Sequence, residues 1–154
     1  MQCSRCIACV HFPDDPSIED DTGLLRRVPP WHFIMDQNLG RTRPSSSAAF
    51  EDDDDNDPMS VCLATVLAAE DRNPESVLAG HDGYALASIT AGLARAHDQT
   101  VHPDPLPEES AHAVVCGDKK TSVKRAFSRT AVWINEPHLR SGDDQFADRE
   151  SDAK

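Results

Sequence analysis

Residues 111–135, AHAVVCGDKKTSVKRAFSRTAVWIN, decide the fold class. Ala111 to Cys116 reads as a β-strand, and Gly117-Asp118 is a turn signal directly after it. The periodicity then changes. From Thr121 to Asn135, Val123, Phe127, Thr130 and Ile134 share one helical face, while Lys120, Lys124, Arg125 and Arg129 lie on or near the other. Glu136-Pro137 ends the helix, because a proline drives the residue before it out of the α region. A strand that turns directly into an amphipathic helix predicts an α+β protein. We expect a single small domain of a few short strands packed against that C-terminal helix and shorter helices.

Upstream, Leu24-Leu25-Arg26-Arg27-Val28 predicts a short strand stopped by Pro29-Pro30, and Trp31 to Met35 a second extended piece. Asn38 to Gly40 and Arg43-Pro44-Ser45-Ser46-Ser47 mark turns. Met59 to Leu63 suits either a strand or the start of the helix favoured by Ala64 to Glu70. Asn73-Pro74-Glu75 is an N-cap with proline in the first turn, and Gly80 ends that helix within two turns. Tyr84 to His97 also has two readings. It fits one helix through Leu86, Ile89, Leu93 and Ala96, or a strand to Ile89 feeding a helix from Thr90. Thr100 to His102 is extended, and Pro103, Pro105 and Pro107 exclude regular structure beside it.

The chain has 154 residues, 38% of them hydrophobic, with only two Trp, one Tyr and five Phe, which allows one thin core. Its net charge of −12 is unevenly distributed. Asp14, Asp15, Glu19, Asp20 and Asp21 precede the body, Glu51 to Asp57 holds six acids in seven residues, and Gly142 to Lys154 holds five acids against two bases. The body between them is close to neutral. These shifts divide the chain into an extension over 1–22, Cys-rich then acidic and expected to be disordered, a domain over 23–137 with a flexible acidic loop at 51–57, and an acidic disordered tail over 138–154. The excess of acid disfavours general nucleic-acid binding and anionic membranes. There is no apolar run of signal-peptide or membrane-spanning length, and five cysteines do not pair evenly; both point to a cytoplasmic protein with reduced thiols.

Four stretches carry a resemblance. Leu24 to Pro30, Arg43 to Phe50, Met59-Ser60-Val61, and Asp104-Pro105-Leu106-Pro107 with His112-Ala113-Val114-Val115 resemble landmarks of a family of small, uncharacterised bacterial proteins. The resemblance spans about residues 24–135. It implies strands near Met59 to Cys62 and Tyr84 to Ile89, and it brings no established activity.

The seven glycines stand nowhere in phosphate-loop or dinucleotide spacing, and His-Glu-x-x-His and Gly-x-Ser-x-Gly are absent. Four constellations remain. Cys3, Cys6 and Cys9 with His11 have spacing that can wrap zinc; the plainer alternative is a peripheral segment with redox-sensitive thiols. His102, Asp104 and His112 have the content of a facial iron triad, although His112 reads more simply as a satisfied core histidine. Arg26 or Arg27 with Ser45, Ser46, Ser47 and Glu108 resembles the arrangement of ADP-ribosyl-transferase sites, in which arginine grips a nucleotide cofactor. Without it, Arg26 and Arg27 are edge-strand residues and 43–47 a linker. Lys120, Lys124, Arg125 and Arg129 form a basic face that suits an acidic protein partner, one of the chain's own acidic segments, or solvent alone. The expected function is therefore a non-catalytic accessory or protein-interaction role, with a nucleotide-handling transferase or a zinc-stabilised binding module as alternatives.

Overall fold

A computed structural model describes residues 10–46, 48–53 and 57–137. Its centre is a six-stranded, wholly antiparallel sheet. The strands are β1 (Gly23–Val28), β4 (Met59–Leu63), β5 (Ala85–Thr90), β6 (Thr100–Pro103), β7 (His112–Cys116) and β8 (Val132–Asn135), in the order β6-β7-β4-β1-β5-β8. β2 (Phe33–Asp36) and β3 (Arg41–Pro44) form a separate hairpin through the Asn38–Gly40 turn. The α+β domain is completed by the helices α1 (Ala64–Ala69), α2 (Ala91–Ala96) and α3 (Thr121–Thr130), together with a 3-10 helix at Pro74–Leu78. Among the described residues no helix is long and apolar enough to cross a membrane.

The pleat sorts the side chains. Leu24, Val28, Met59, Val61, Leu63, Ala87, Ile89, Val101, Ala113 and Val115 face the larger core, which Val123 and Phe127 of α3 and Ala91 and Ala94 of α2 close. Leu25, Cys62 and Leu86 face a smaller one, closed by Leu67 of α1 and Val77 of the 3-10 helix. Phe50 and Phe127, both fully buried, meet edge to face at 5.8 Å in the larger core.

Both ambiguous segments resolve through pairing. Residues 59–63 are a strand because β1 and β7 flank them. Residues 85–90 are a strand beside β1, and Thr90 then caps α2 by accepting a hydrogen bond from the Leu93 amide at 3.1 Å.

Two expectations change. The C-terminal helix ends at Thr130, not Asn135, because Val132, Trp133 and Ile134 leave it to pair with β5. Thr130 and Ile134 are consequently exposed, and Ser128 and Ala131 join Val123 and Phe127 in burial. The acidic stretch expected outside the domain lies partly against it: residues 12–22 form an arm along β6 and α2. The Asp15 amide donates to Val101 O, Asp14 Oδ1 accepts from the Val101 amide, and Thr100 Oγ1 donates to Phe12 O. Arg95 of α2 binds Asp14 and Asp20, and Ile18 is buried. A Cβ on Gly92 would stand 3.2 Å from the Asp20 carbonyl, so this close approach suits glycine. The arm thus covers the outer edge of β6, while the outer edge of β8 presents Val132 and Ile134 at 62% and 39% exposure. Residues 1–9, 54–56 and the 138–154 tail lie outside the described residues.

A candidate nucleophile site where the central strands part

β1 and β4 are the middle strands of the sheet, yet their ladder runs only through Leu24↔Leu63 and Leu25↔Cys62. Beyond that point they diverge, although β1 continues to Val28 and β4 begins at Met59. A cleft of about 40 Å³ lies there, lined by Leu25, Arg26, Arg27, Ser60, Val61, Cys62 and His112.

Arg26 bridges the gap that the parted strands leave. Its Nη1 donates to the Ser60 carbonyl at 2.9 Å, Nε to Ala49 O at 2.9 Å and Nη2 to Glu51 O at 3.2 Å. Carbonyls that lack strand partners are satisfied by the guanidinium instead. Burial pushes the Arg26 pKa down, and Asp53, 3.5 Å from Nη1, pulls against that. The same cation and its own burial hold His32 below the ordinary histidine value. Arg27 spends its Nε on Val77 O at 2.7 Å.

Ser60 and His112 sit on adjacent strands, with Ser60 Oγ 3.0 Å from His112 Nε2. On its other side, His112 Nδ1 lies 2.8 Å from Asp104 O and 3.3 Å from Asp104 Oδ2. A carbonyl and a carboxylate oxygen both accept, so Nδ1 is the donor and, in the neutral ring, Nε2 keeps its lone pair toward Ser60. Ser60 Oγ also donates to Asp53 Oδ2 at 2.6 Å. When that bond is made, Nε2 must donate, which requires an imidazolium. The serine proton therefore has two acceptors, Asp53 and His112. Cys62, at the floor, is a poor nucleophile because burial raises its thiol to about 11.

The remaining expected site residues are placed as follows. His102 is not brought to Asp104 and His112 as a metal triad: its Nδ1 meets Pro13 O at 2.7 Å and its ring packs against Phe12. Among the described residues no group of three His, Cys, Asp or Glu is placed to hold a metal. Cys3, Cys6 and Cys9 lie outside the described residues, and His11 is exposed. Arg26 and Arg27 reach the cleft, but Ser45, Ser46 and Glu108 do not line it, and Ser47 is outside the described residues. Glu108 is exposed on a turn. Its neighbour Glu109 is buried and takes both arms of Arg72 at 2.8 and 2.9 Å. On the basic face, Lys124 binds Glu51 at 3.1 Å and Lys119 binds Asp52 at 2.8 Å, so the acidic loop lies beside one end of α3. Lys120, Arg125 and Arg129 are exposed and without an ion-pair partner among the described residues.

Sequence reasoning singled out His112 and Asp104, with a core histidine as the plainer reading, and missed Ser60, which is 52 residues from His112. The one available signal was positional. The four stretches singled out by resemblance each send a group here: Arg26, Ala49, Ser60, and Asp104 with His112. Comparison of the chain with family models, curated proteins and solved structures found no match.

Proposed function

We propose that the protein is a serine-dependent hydrolase or acyl transferase with Ser60 as nucleophile, His112 as general base and Asp104 as the group that orients the imidazole. The supporting observation is the chain Ser60 Oγ, His112 Nε2, His112 Nδ1, Asp104, at 3.0 Å across the first contact and 2.8–3.3 Å across the last. This is the relation between nucleophile, base and orienting group that activated serines require. Ser60 Oγ bonds to the carbonyl carbon of an ester or thioester while its proton passes to His112 Nε2. His112 returns that proton to the departing oxygen or sulfur. Water, or an acceptor hydroxyl, then attacks the acyl-serine, and its proton reaches Ser60 through the same nitrogen. Arg27, lining the cleft with only its Nε engaged, supplies positive charge toward the developing oxyanion.

A fluorophosphonate probe followed by intact mass and peptide mapping tests this. One adduct is expected on Ser60, absent in Ser60→Ala and formed at least about 100-fold more slowly in His112→Ala. Labelling that His112→Ala leaves unchanged sinks the proposal.

A second reading, a non-catalytic interaction protein of the cytoplasm, draws support from Lys120, Arg125 and Arg129, exposed and without an ion-pair partner among the described residues. It calls for an acidic protein partner that is retained at low salt and lost when those three charges are reversed. A zinc-stabilised module is a distinct proposal resting on Cys3, Cys6, Cys9 and His11. It requires about one equivalent of zinc by elemental analysis, and less than a tenth of an equivalent removes it.

A further inference from the structure

We infer that the cleft takes an anionic group, a carboxylate or a phosphate monoester, in the position that Asp53 holds between Ser60 and Arg26; this rests on the reading of Ser60 as the reacting group and specifies its substrate class. Asp53 contacts both: Ser60 Oγ at 2.6 Å and Arg26 Nη1 at 3.5 Å. Arg26 and His112 are held by bonds that do not involve Asp53. Arg26 is 16% exposed and fixed by three backbone carbonyls, none of which depends on Asp53. The His112 side chain is 14% exposed and held from the Asp104 loop. Asp53 is 41% exposed and enters from outside the sheet. If it withdraws, the guanidinium keeps its place and the cleft is left with two arginines and no acid in its lining. Asp52 and Glu109 still act on the two arginines from outside the lining, and within the cleft the guanidinium charge favours a small anion.

Two further facts fit. A volume of about 40 Å³ exceeds what one water needs and suits a carboxylate or phosphoryl head rather than a whole nucleotide. Ser60 Oγ donates to Asp53, so a carboxylate or phosphate oxygen in the same position meets a hydroxyl donor beside the guanidinium.

The probes are inorganic phosphate and acetate, titrated into the full chain by calorimetry. Asp53→Ala is expected to bind at least one of them ten-fold or more tighter than the unsubstituted protein, and which one gains more distinguishes phosphate from carboxylate recognition. Asp53→Asn, which keeps a hydrogen bond to Ser60 but loses the charge, is expected to gain as well. Ser60→Ala in the Asp53→Ala background is expected to keep the gain, and Arg26→Lys to lose most of it. Unchanged affinity in both Asp53 variants, with native far-UV dichroism, overturns the inference even where Ser60 still labels. Conversely, a gain in the Asp53 variants with no labelling of Ser60 upholds the anion site and removes the hydrolase reading.

Discussion

Replacing Arg26 by methionine separates a strut from a ligand grip. Methionine keeps the apolar stem and deletes every donor. Two of the deleted hydrogen bonds, to Ala49 O and Ser60 O at 2.9 Å each, are partly buried, and the third, to Glu51 O at 3.2 Å, is exposed. A hydrogen bond from a charged donor contributes about 1.5–3 kcal/mol, and a buried carbonyl left without a partner costs a similar amount. Water replaces the donor at Glu51, so that bond adds little. The expected loss is about 3–5 kcal/mol, a large share of the ~5–15 kcal/mol that holds a domain of this size. Urea unfolding followed by tryptophan fluorescence measures it. Arg26→Lys should recover part, since one ammonium reaches one carbonyl, and Asp53→Asn should change stability by less than about 1 kcal/mol because Asp53 is itself 41% exposed. A loss under about 1 kcal/mol in Arg26→Met, at unchanged urea dependence, refutes the strut. It would return Arg26 to the cofactor-gripping role expected from the sequence.

Acid unfolding has a defined sign. Hydrogen bonds from Arg72 lower Glu109, bonds from Ser110 and Arg72 lower Glu70, and a bond from Arg43 lowers Asp36. Their contribution is complete above the ordinary values of 4.5 and 3.8 and is lost as pH falls through the lowered ones, so Tm should decline below about pH 4.5. Arg72→Ala should flatten that decline, as read by calorimetry from pH 6 to 2.5; an identical slope contradicts the assignment. Phe127→Ala removes a fully buried ring from between Phe50 and His97 and should cost about 3–5 kcal/mol in the same urea assay. Cys62, buried and with its thiol raised to about 11, should resist iodoacetamide at pH 8 in the folded protein and react promptly in urea, as peptide mapping will show.

What could be read from the sequence was what local chemistry decides. β1 between Gly23 and Pro29, the Asn38–Gly40 turn and β7 before Gly117 all announce themselves through composition and punctuation. At Gly117, φ is +152°, which favours glycine from the backbone alone, and a Cβ would also stand 2.7 Å from the Gln99 side chain brought there by the β6–β7 pairing. Residues 59–63 and 85–90 were ambiguous because their state is set by β1, far away in the chain, and propensity over so short a run cannot outweigh a pairing partner. The overlong C-terminal helix has the same cause. Ile134 matches the helical period, yet Trp133 pairs opposite Ala87 and gives its indole N–H to Thr42 O. The candidate site followed suit. Asp104 and His112 are close in sequence and were seen together, whereas Ser60 and Asp53 join them only through the β4–β7 register.

The two edges of the sheet have different fates in association. The β6 edge is occupied by the chain's own arm, whose Asp14 carboxylate takes the Val101 amide that a foreign strand would need. The β8 edge carries no such cover among the described residues. A protomer with one free edge can pair through it once, back to back about a twofold axis, and growth stops at two. Without the arm each protomer would present a second edge, and a further contact through β6 would be needed to join such pairs into an open-ended assembly. Residues 12–22, acidic and poor in core-forming side chains, thereby set the valence of the sheet.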